Sequence, residues 1–443
     1  MHRRAGLVLC RSADVRGGRA THAVIVGNGI AGYTAALRLR HMQPEWRITM
    51  VSGESTFPFS RPALMYVFLG HMRYQDTKPY EDRVWRDVRI DLVRAWVEEI
   101  DVGGRRLSVG QHKIMEYDRL LLALGSKPNK FGWPGQDLDG VQGFYSLADL
   151  DRMTRTLRRT RRAVIVGGGL IGIELAEMLH SRGIPVTLLV RESSYWNNIL
   201  PKEESEMVTA LIRAAGFDLR LQTELKEVVD DGHGQASAVV TSTGERIECE
   251  FVGLTAGVSP NIELAKRCGL PVGRGVLVDR SLQTRDASVW AAGDCAEIVG
   301  EAGQRGLVQQ VWYTGRMQGD VAAAGMAGSP RAYDPGVWFN SAKFLDLEYQ
   351  VYGSVNLSVP GERSSYWERQ DGRASLRLVH KDAALIGVNA MGLRLRHEVC
   401  ERWIREAAPV HHVIENLSEA NFDPEFFRRR EPEIARALEG QLA

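Results

Sequence analysis

Six glycines in two identical spacings, Gly27, Gly29 and Gly32 and then Gly167, Gly169 and Gly172, are the residues whose type and pattern speak most directly of chemistry. Each set reads G-x-G-x-x-G within nearly the same ten letters, AVIVGNGIAG at 23 to 32 and AVIVGGGLIG at 163 to 172. That chemistry is anion binding: a helix start offers N–H groups without intrahelical partners and the positive end of the peptide dipole, and both favour a diphosphate. In such a turn the first glycine makes the tight bend, the second lets the diphosphate reach the backbone, and the third lets helix and strand pack closely.

The elements needed to hold these turns are present around both. A run of small and β-branched apolar residues precedes each, and a helix-compatible stretch follows, YTAALRLR at 33 to 40 and IELAEMLHSRG at 173 to 183. A second strand comes about 20 residues later in each copy. RITMVSGES at 47 to 55 delivers Glu54, which could accept from a ribose diol, whereas PVTLLVRES at 185 to 193 delivers Arg191 followed by Glu192. An acid in one copy and an arginine in the other point to two different dinucleotides. A nicotinamide coenzyme in one copy implies a flavin in the other, because a hydride donor needs a resident acceptor.

The whole chain sets bounds on these readings. At 443 residues it is too long for one ordinary core. A net charge of +1 provides no global field for nucleic acid or an acidic membrane, so RRTRRA at 158 to 163 and RRR at 428 to 430 read as solvated helix ends or turns. No apolar run reaches the roughly 18 residues that span a bilayer. The arginine-rich residues 1 to 20, with an apolar part too short for a secretory core, read as a flexible extension. Five scattered cysteines, Cys10, Cys249, Cys268, Cys295 and Cys400, without C-x-x-C spacing, suggest a reducing, cytoplasmic setting and no structural zinc. His411 and His412 lack a neighbouring ligand set, so no metal site is expected.

Two further stretches, YDRLLLALGSKP at 117 to 128 and VWAAGDCAE at 289 to 297, resemble the remaining FAD signatures of the glutathione-reductase-like superfamily of flavoproteins, the pyridine nucleotide-disulfide oxidoreductases. The resemblance covers about residues 21 to 330. It implies an α/β fold with an FAD domain at 21–150 and 271–335, an inserted NAD(P)H domain at 151–270, and a C-terminal α+β interface domain at 336–443, often used for dimerisation. Gly293 and Asp294 match the pair whose aspartate binds ribityl hydroxyls, and Ala123 and Gly125 match an A-T-G motif that has Leu124 in place of its threonine. TAGVSPN at 255 to 261, with Gly257, marks the return crossing, and Val97 completes the expected cofactor-binding set.

Within that superfamily, ITMVSGESTFPFSRPALM at 48 to 65 is similar to a motif of oxygenase-coupled ferredoxin reductases, rubredoxin reductases and nitrite reductase flavin domains. The resemblance implies that Arg61 and Pro62 border the flavin. Pro62 stands where disulfide reductases carry their redox cysteine, and Met65 and Tyr66 stand where relatives have Ser and, often, a Lys that meets flavin N5. QVWYTGRMQG at 310 to 319 resembles the helix that starts under the flavin pyrimidine, so Trp312 is a site aromatic or a core one. Glu174 is expected to position the nicotinamide carboxamide, a role compatible with that of a helix N-terminal acid. Arg191 leans toward a 2′-phosphate, with Glu192 diluting the signal and a merely solvated arginine an equal reading.

These readings imply an FAD-dependent NAD(P)H:acceptor oxidoreductase that passes electrons to an iron–sulfur or rubredoxin-like protein. The alternatives are an NAD(P)H oxidase, a small-disulfide reductase, or a flavoprotein whose redox state governs association, resembling apoptosis-inducing-factor relatives. In the last hundred residues, alternating stretches at 339 to 355, 364 to 380 and 383 to 392 predict antiparallel strands. RHEVCERWIREAA at 396 to 408 and PEIARALEGQLA at 432 to 443 predict helices.

Overall fold

The structure, a computed structural model, describes residues 20–300, 305–356, 359–422 and 429–442. The expectations for residues 1 to 19, Cys10 included, and for the first arginine of the 428 to 430 run fall outside the described residues.

His22–Val26 is a strand buried at every position, because a strand covered on both faces must be apolar on both. It centres a parallel sheet in the order Val289–Ala291, Arg119–Leu122, His22–Val26, Arg47–Ser52, Ile90–Arg94. The helix Ile30–Met42 leaves the first strand directly after the glycine turn. Against it lies the helix Trp312–Met326, so close that a Cβ on Gly319 would stand 2.3 Å from the Ala31 carbonyl oxygen. The first sheet therefore takes one strand, and its neighbouring helix, from residues far beyond the second glycine turn.

Ala163–Val166 centres the second parallel sheet, in the order Asp218–Leu221, Val186–Val190, Ala163–Val166, Phe251–Leu254, Val141–Gln142. Its last strand comes from before residue 150, where the sequence reading drew the boundary. The pairing of Val252 with Val141 gives the buried Phe251–Leu254 strand a neighbour on an edge that would otherwise hold unpaired backbone groups. The chain passes between the two units twice, and the passages pair as antiparallel strands, Ser126–Pro128 with Val258–Pro260.

Residues 339 to 391 form a five-stranded antiparallel sheet, ordered Phe339–Phe344, Leu347–Gly353, Ala384–Met391, Ser375–Lys381, Glu362–Glu368. The helices His397–Arg405 and Glu431–Leu442 bury Cys400, Trp403 and Leu438 in the adjoining core. This domain is clamped to the second unit by a buried ion cluster. Arg377 donates to Glu204 at 2.8 and 2.9 Å and to Glu203 at 2.6 Å, at the start of the helix Lys202–Ala214. Breaking one partner would leave an uncompensated charge in a dry site, so the clamp fixes the docking of the two domains.

Candidate functional site

The two glycine turns have the geometry their spacing predicts. Gly27 has φ +108°, and a Cβ there would stand 2.1 Å from the Ala123 carbonyl oxygen. A Cβ on Gly32 would stand 2.0 Å from the Gly27 carbonyl oxygen, so the third glycine is what lets helix meet strand. Gly29 differs from both, because a Cβ built on it meets nothing within 4 Å. Open space over the backbone at a helix start is a cradle for a diphosphate. In the second unit Gly167 has φ +124° and faces the Thr255 carbonyl oxygen at 2.6 Å, and Gly172 faces the Gly167 carbonyl oxygen at 2.7 Å. Gly169 is again open, with only the Trp196 indole nitrogen at 4.0 Å.

Around the first turn, Ala123, Gly125, Gly293 and Asp294 come together from two distant strand ends. Ala123 N donates to the Val26 carbonyl at 2.8 Å, and Gly293 N donates to Gln318 Oε1 at 2.8 Å on the helix Trp312–Met326. Asp294 Oδ2 accepts from Ser126 Oγ at 3.0 Å and from the Tyr145 hydroxyl at 3.3 Å. Gln310 Nε2 in turn donates to Ser126 Oγ at 2.7 Å. Burial pushes the Asp294 carboxyl above its ordinary value, while Ser126, Tyr145 and the Arg61 charge pull it back. A carboxylate held by hydroxyls beside an open glycine turn fits the polyol of a flavin dinucleotide. Ser126, Tyr145 and Gln310 had no motif of their own and emerge only from this convergence.

Both oxygens of Glu54 accept within the protein: Arg61 donates to Oε1 at 3.1 Å and to Oε2 at 2.7 Å, and Leu147 N donates to Oε1 at 2.9 Å. Arg61 also donates to the Tyr145 carbonyl at 2.7 Å and stacks over the Tyr145 ring at 4.6 Å. Glu54 thus neutralises a half-buried guanidinium and holds the loop against the helix Leu147–Thr156. At the end of the second strand itself stands Gly53, and the Trp96 ring lies where a Gly53 side chain would be, its nearest carbon 2.1 Å from a built Cβ. Trp96 is 70% exposed and precedes Val97, the first residue of the strand Val97–Asp101.

The remaining expected residues lie on separate elements. Pro62 is exposed in the short turn Arg61–Ala63, and Tyr66 is half-buried on the helix Leu64–Leu69 that follows. Trp312 is the first residue of its helix and half-buried, edge-on to Tyr313 at 5.4 Å. Glu174 lies on the helix Leu170–His180, where burial first, then Glu177, push its carboxyl up to about 7 against the pull of Lys343. Gly257 has φ +84° at the return crossing, and its carbonyl accepts from Asn129 N at 3.1 Å. Arg191 is exposed, with Nε 2.8 Å from Glu192 Oε1.

The four described cysteines are free. Burial pushes the Cys295 thiol up to about 11 and those of Cys249 and Cys400 up to about 12, and raises Cys268 as well. Cys295 Sγ accepts from Leu124 N at 3.3 Å beneath the Asp294 turn. A buried thiol held protonated at neutral pH is a packing group, not a nucleophile. Among the described residues no helix is long and apolar enough to cross a membrane.

Comparison with known proteins agrees with this geometry. The family described as "Pyridine nucleotide-disulphide oxidoreductase" matches residues 21–322. The chain is 30% identical over 382 residues to the biphenyl dioxygenase system ferredoxin–NAD(+) reductase component of Paraburkholderia xenovorans, covering 86% of this chain and 92% of that protein. It is 32% identical over 346 residues to the NAD(P)H coenzyme A polysulfide/persulfide reductase of Pyrococcus horikoshii, covering 75% and 76%. The fold also matches a solved putidaredoxin reductase–putidaredoxin complex with a TM-score of 0.77 at 22% identity, covering 95% of this chain and 100% of that one.

Proposed function

The chain belongs to the pyridine nucleotide-disulphide oxidoreductase family, and from that premise we propose an FAD-dependent NAD(P)H:acceptor oxidoreductase whose electrons leave to a small iron–sulfur or rubredoxin-like protein. The observation that carries the reading is two open glycine turns with Pro62 at the position where a disulfide reductase would carry its thiol. Bound FAD would supply a two-electron acceptor able to give electrons up singly.

The residues of this chain supply binding and orientation. Gly29 and the start of Ile30–Met42 would hold the flavin diphosphate, and Asp294, supported by Ser126 and Tyr145, would accept from its ribityl hydroxyls. The start of the helix Trp312–Met326 would favour negative charge on the reduced ring, with Trp312 as a wall of the pocket. Gly169 and the start of Leu170–His180 would hold the coenzyme diphosphate. Glu174 would position the carboxamide, because hydride transfer depends on alignment more than on acid or base. Arg191 would meet a 2′-phosphate and leans the preference slightly to NADPH, against its pairing with Glu192 as a solvated arginine. We assign the protein to the reducing cytoplasm on its free cysteines.

A persulfide reductase, as the Pyrococcus horikoshii relative is named, is the second reading. It is disfavoured because thiol exchange needs a thiolate. Titration of the holoprotein with coenzyme under anaerobic conditions tests the proposal. Uptake of two electrons per flavin, followed by rapid reduction of a ferredoxin or rubredoxin, supports it. Uptake of four electrons refutes it in favour of a disulfide partner, and slow reoxidation by every carrier protein refutes it in favour of an association role.

A further inference from the structure

The helix Leu170–His180 presents two acids to the C-terminal domain, Glu174 and Glu177, three residues apart and hence on one face. Both are half-buried. The strand Phe339–Phe344 brings Lys343 against them, with Nζ 3.1 Å from Glu177 Oε1. The same Nζ is 5.3 Å from the centre of the Tyr66 ring, on the helix Leu64–Leu69 of the first unit. One cation from the third domain therefore meets an acid of the second, one helical turn from Glu174, and an aromatic ring of the first, and its charge lowers the Glu174 carboxyl against burial. Lys343 is 27% exposed and Glu177 24%, so the pair is partly buried, where charge interactions are less screened than on open surface.

The other group facing Glu174 is Tyr195, fully buried, whose hydroxyl donates to the Gly169 carbonyl at 2.9 Å and so keeps its proton engaged elsewhere. Among the described residues the Glu174 carboxylate takes no hydrogen bond, whereas Glu177 accepts from Lys343. Burial disfavours the charged form of Glu174, and a nearby cation favours it. An ionised carboxylate only accepts hydrogen bonds, while a protonated one also donates. An amide N–H2 on a ligand is recognised by the first form.

We propose that Lys343 is a positioning residue of the coenzyme site: the C-terminal domain lends the cation that keeps Glu174 ionised as an acceptor for the amide N–H2 of the nicotinamide. The proposal rests on the reading of Glu174 given above and adds the third domain to the site. Lys343 acts through Glu174 and takes no part in hydride transfer.

The test is the affinity of the flavin-loaded protein for oxidised coenzyme, read from the change it causes in the flavin's visible bands, between about pH 6 and about pH 9, a window bracketing the Glu174 value of about 7. Wild-type binding should weaken as pH falls through about 7, because Glu174 takes up a proton there. Lys343→Met should move that fall to higher pH, with binding about tenfold weaker near neutrality and recovered in alkali, and Lys343→Arg should keep the wild-type profile. Flavin content checks folding, and Lys343→Gln replaces the Met variant if that one is lost. A Lys343→Met profile superimposed on the wild type overturns the proposal, as does equal weakening at every pH in the Met and Arg variants. Glu174→Gln separates the two readings. If it leaves binding and its pH dependence as in the wild type, the role of Glu174 itself fails. If it abolishes the pH dependence while Lys343→Met does not move it, only the inference about Lys343 fails.

Discussion

The two glycine turns share backbone geometry but differ in what braces them. In the first, Asn28 donates to the Ser55 carbonyl at 2.9 Å and to Ser55 Oγ at 3.1 Å, tying the turn to the loop after the second strand. The helix Trp312–Met326 adds a second brace from behind, through Gly319. In the second turn Gly168 stands in place of Asn28, with Val190 Cγ1 2.8 Å from where its Cβ would be. There the brace is the Tyr195 hydroxyl, which donates to the Gly169 carbonyl at 2.9 Å, and the nearest atom to a Cβ built on Gly169 is on Trp196, a residue with φ +61° that packs on Phe344 and Tyr349 of the third domain. The first turn is thus tied to its own unit by Asn28 and Gly319, and the second is held by Tyr195 and lies beside Trp196, which reaches the third domain.

The strongest way to break this comparison is to add one methyl group at each glycine. Gly27→Ala places a Cβ against the Ala123 carbonyl at a φ that L residues rarely adopt, and should cost about 3 kcal/mol or more. Its apoprotein melting temperature should fall sharply. Gly29→Ala meets no protein atom and should leave that temperature unchanged while flavin content drops. A Gly29→Ala protein that stays fully yellow would show that no diphosphate lies there. Asp294→Ala should also lose flavin, since each charged hydrogen bond is worth about 1.5 to 3 kcal/mol. Stoichiometric FAD in that variant would remove Asp294 from the site.

Gly169→Ala sharpens the contrast. The protein should remain yellow and folded, and coenzyme KM should rise about tenfold, one charge-assisted contact's worth. A smaller effect is expected at Arg191, because Glu192 competes for its guanidinium. Arg191→Ala should lower the NADPH to NADH ratio of kcat/KM by a few-fold, and an unchanged ratio would show a solvated arginine. The smallest effect belongs to the cysteines. With the described thiols protonated at neutral pH, replacement of all five by serine should leave coenzyme-driven ferricyanide reduction within a few-fold of wild type, apart from stability lost at the buried Cys249, Cys295 and Cys400. Activity abolished in a folded serine variant would reinstate a thiol relay.

What could be read from the chain was what lies within a few residues along it. The positive φ at Gly27 and Gly167, the open backbone at Gly29 and Gly169, and the strand, turn and helix around each are set by local sterics and the start of a helix. Residue types and their spacing encode these directly. The Asp294 turn was legible as a G-D pair that resembles a family signature. Other features depended on surfaces that meet only when the domains pack. The pairing of Arg61 with Glu54 had no signal in the chain, and the strand Val141–Gln142 looked like part of the first unit until it paired with Val252. Lys343 carried no signal at all, since its partners Tyr66 and Glu177 lie on other domains, far away along the chain. Periodicity and spacing fix which side of an element is apolar, but which distant element covers it is decided by the packing of whole domains, and it was that packing that brought Lys343 to Glu177.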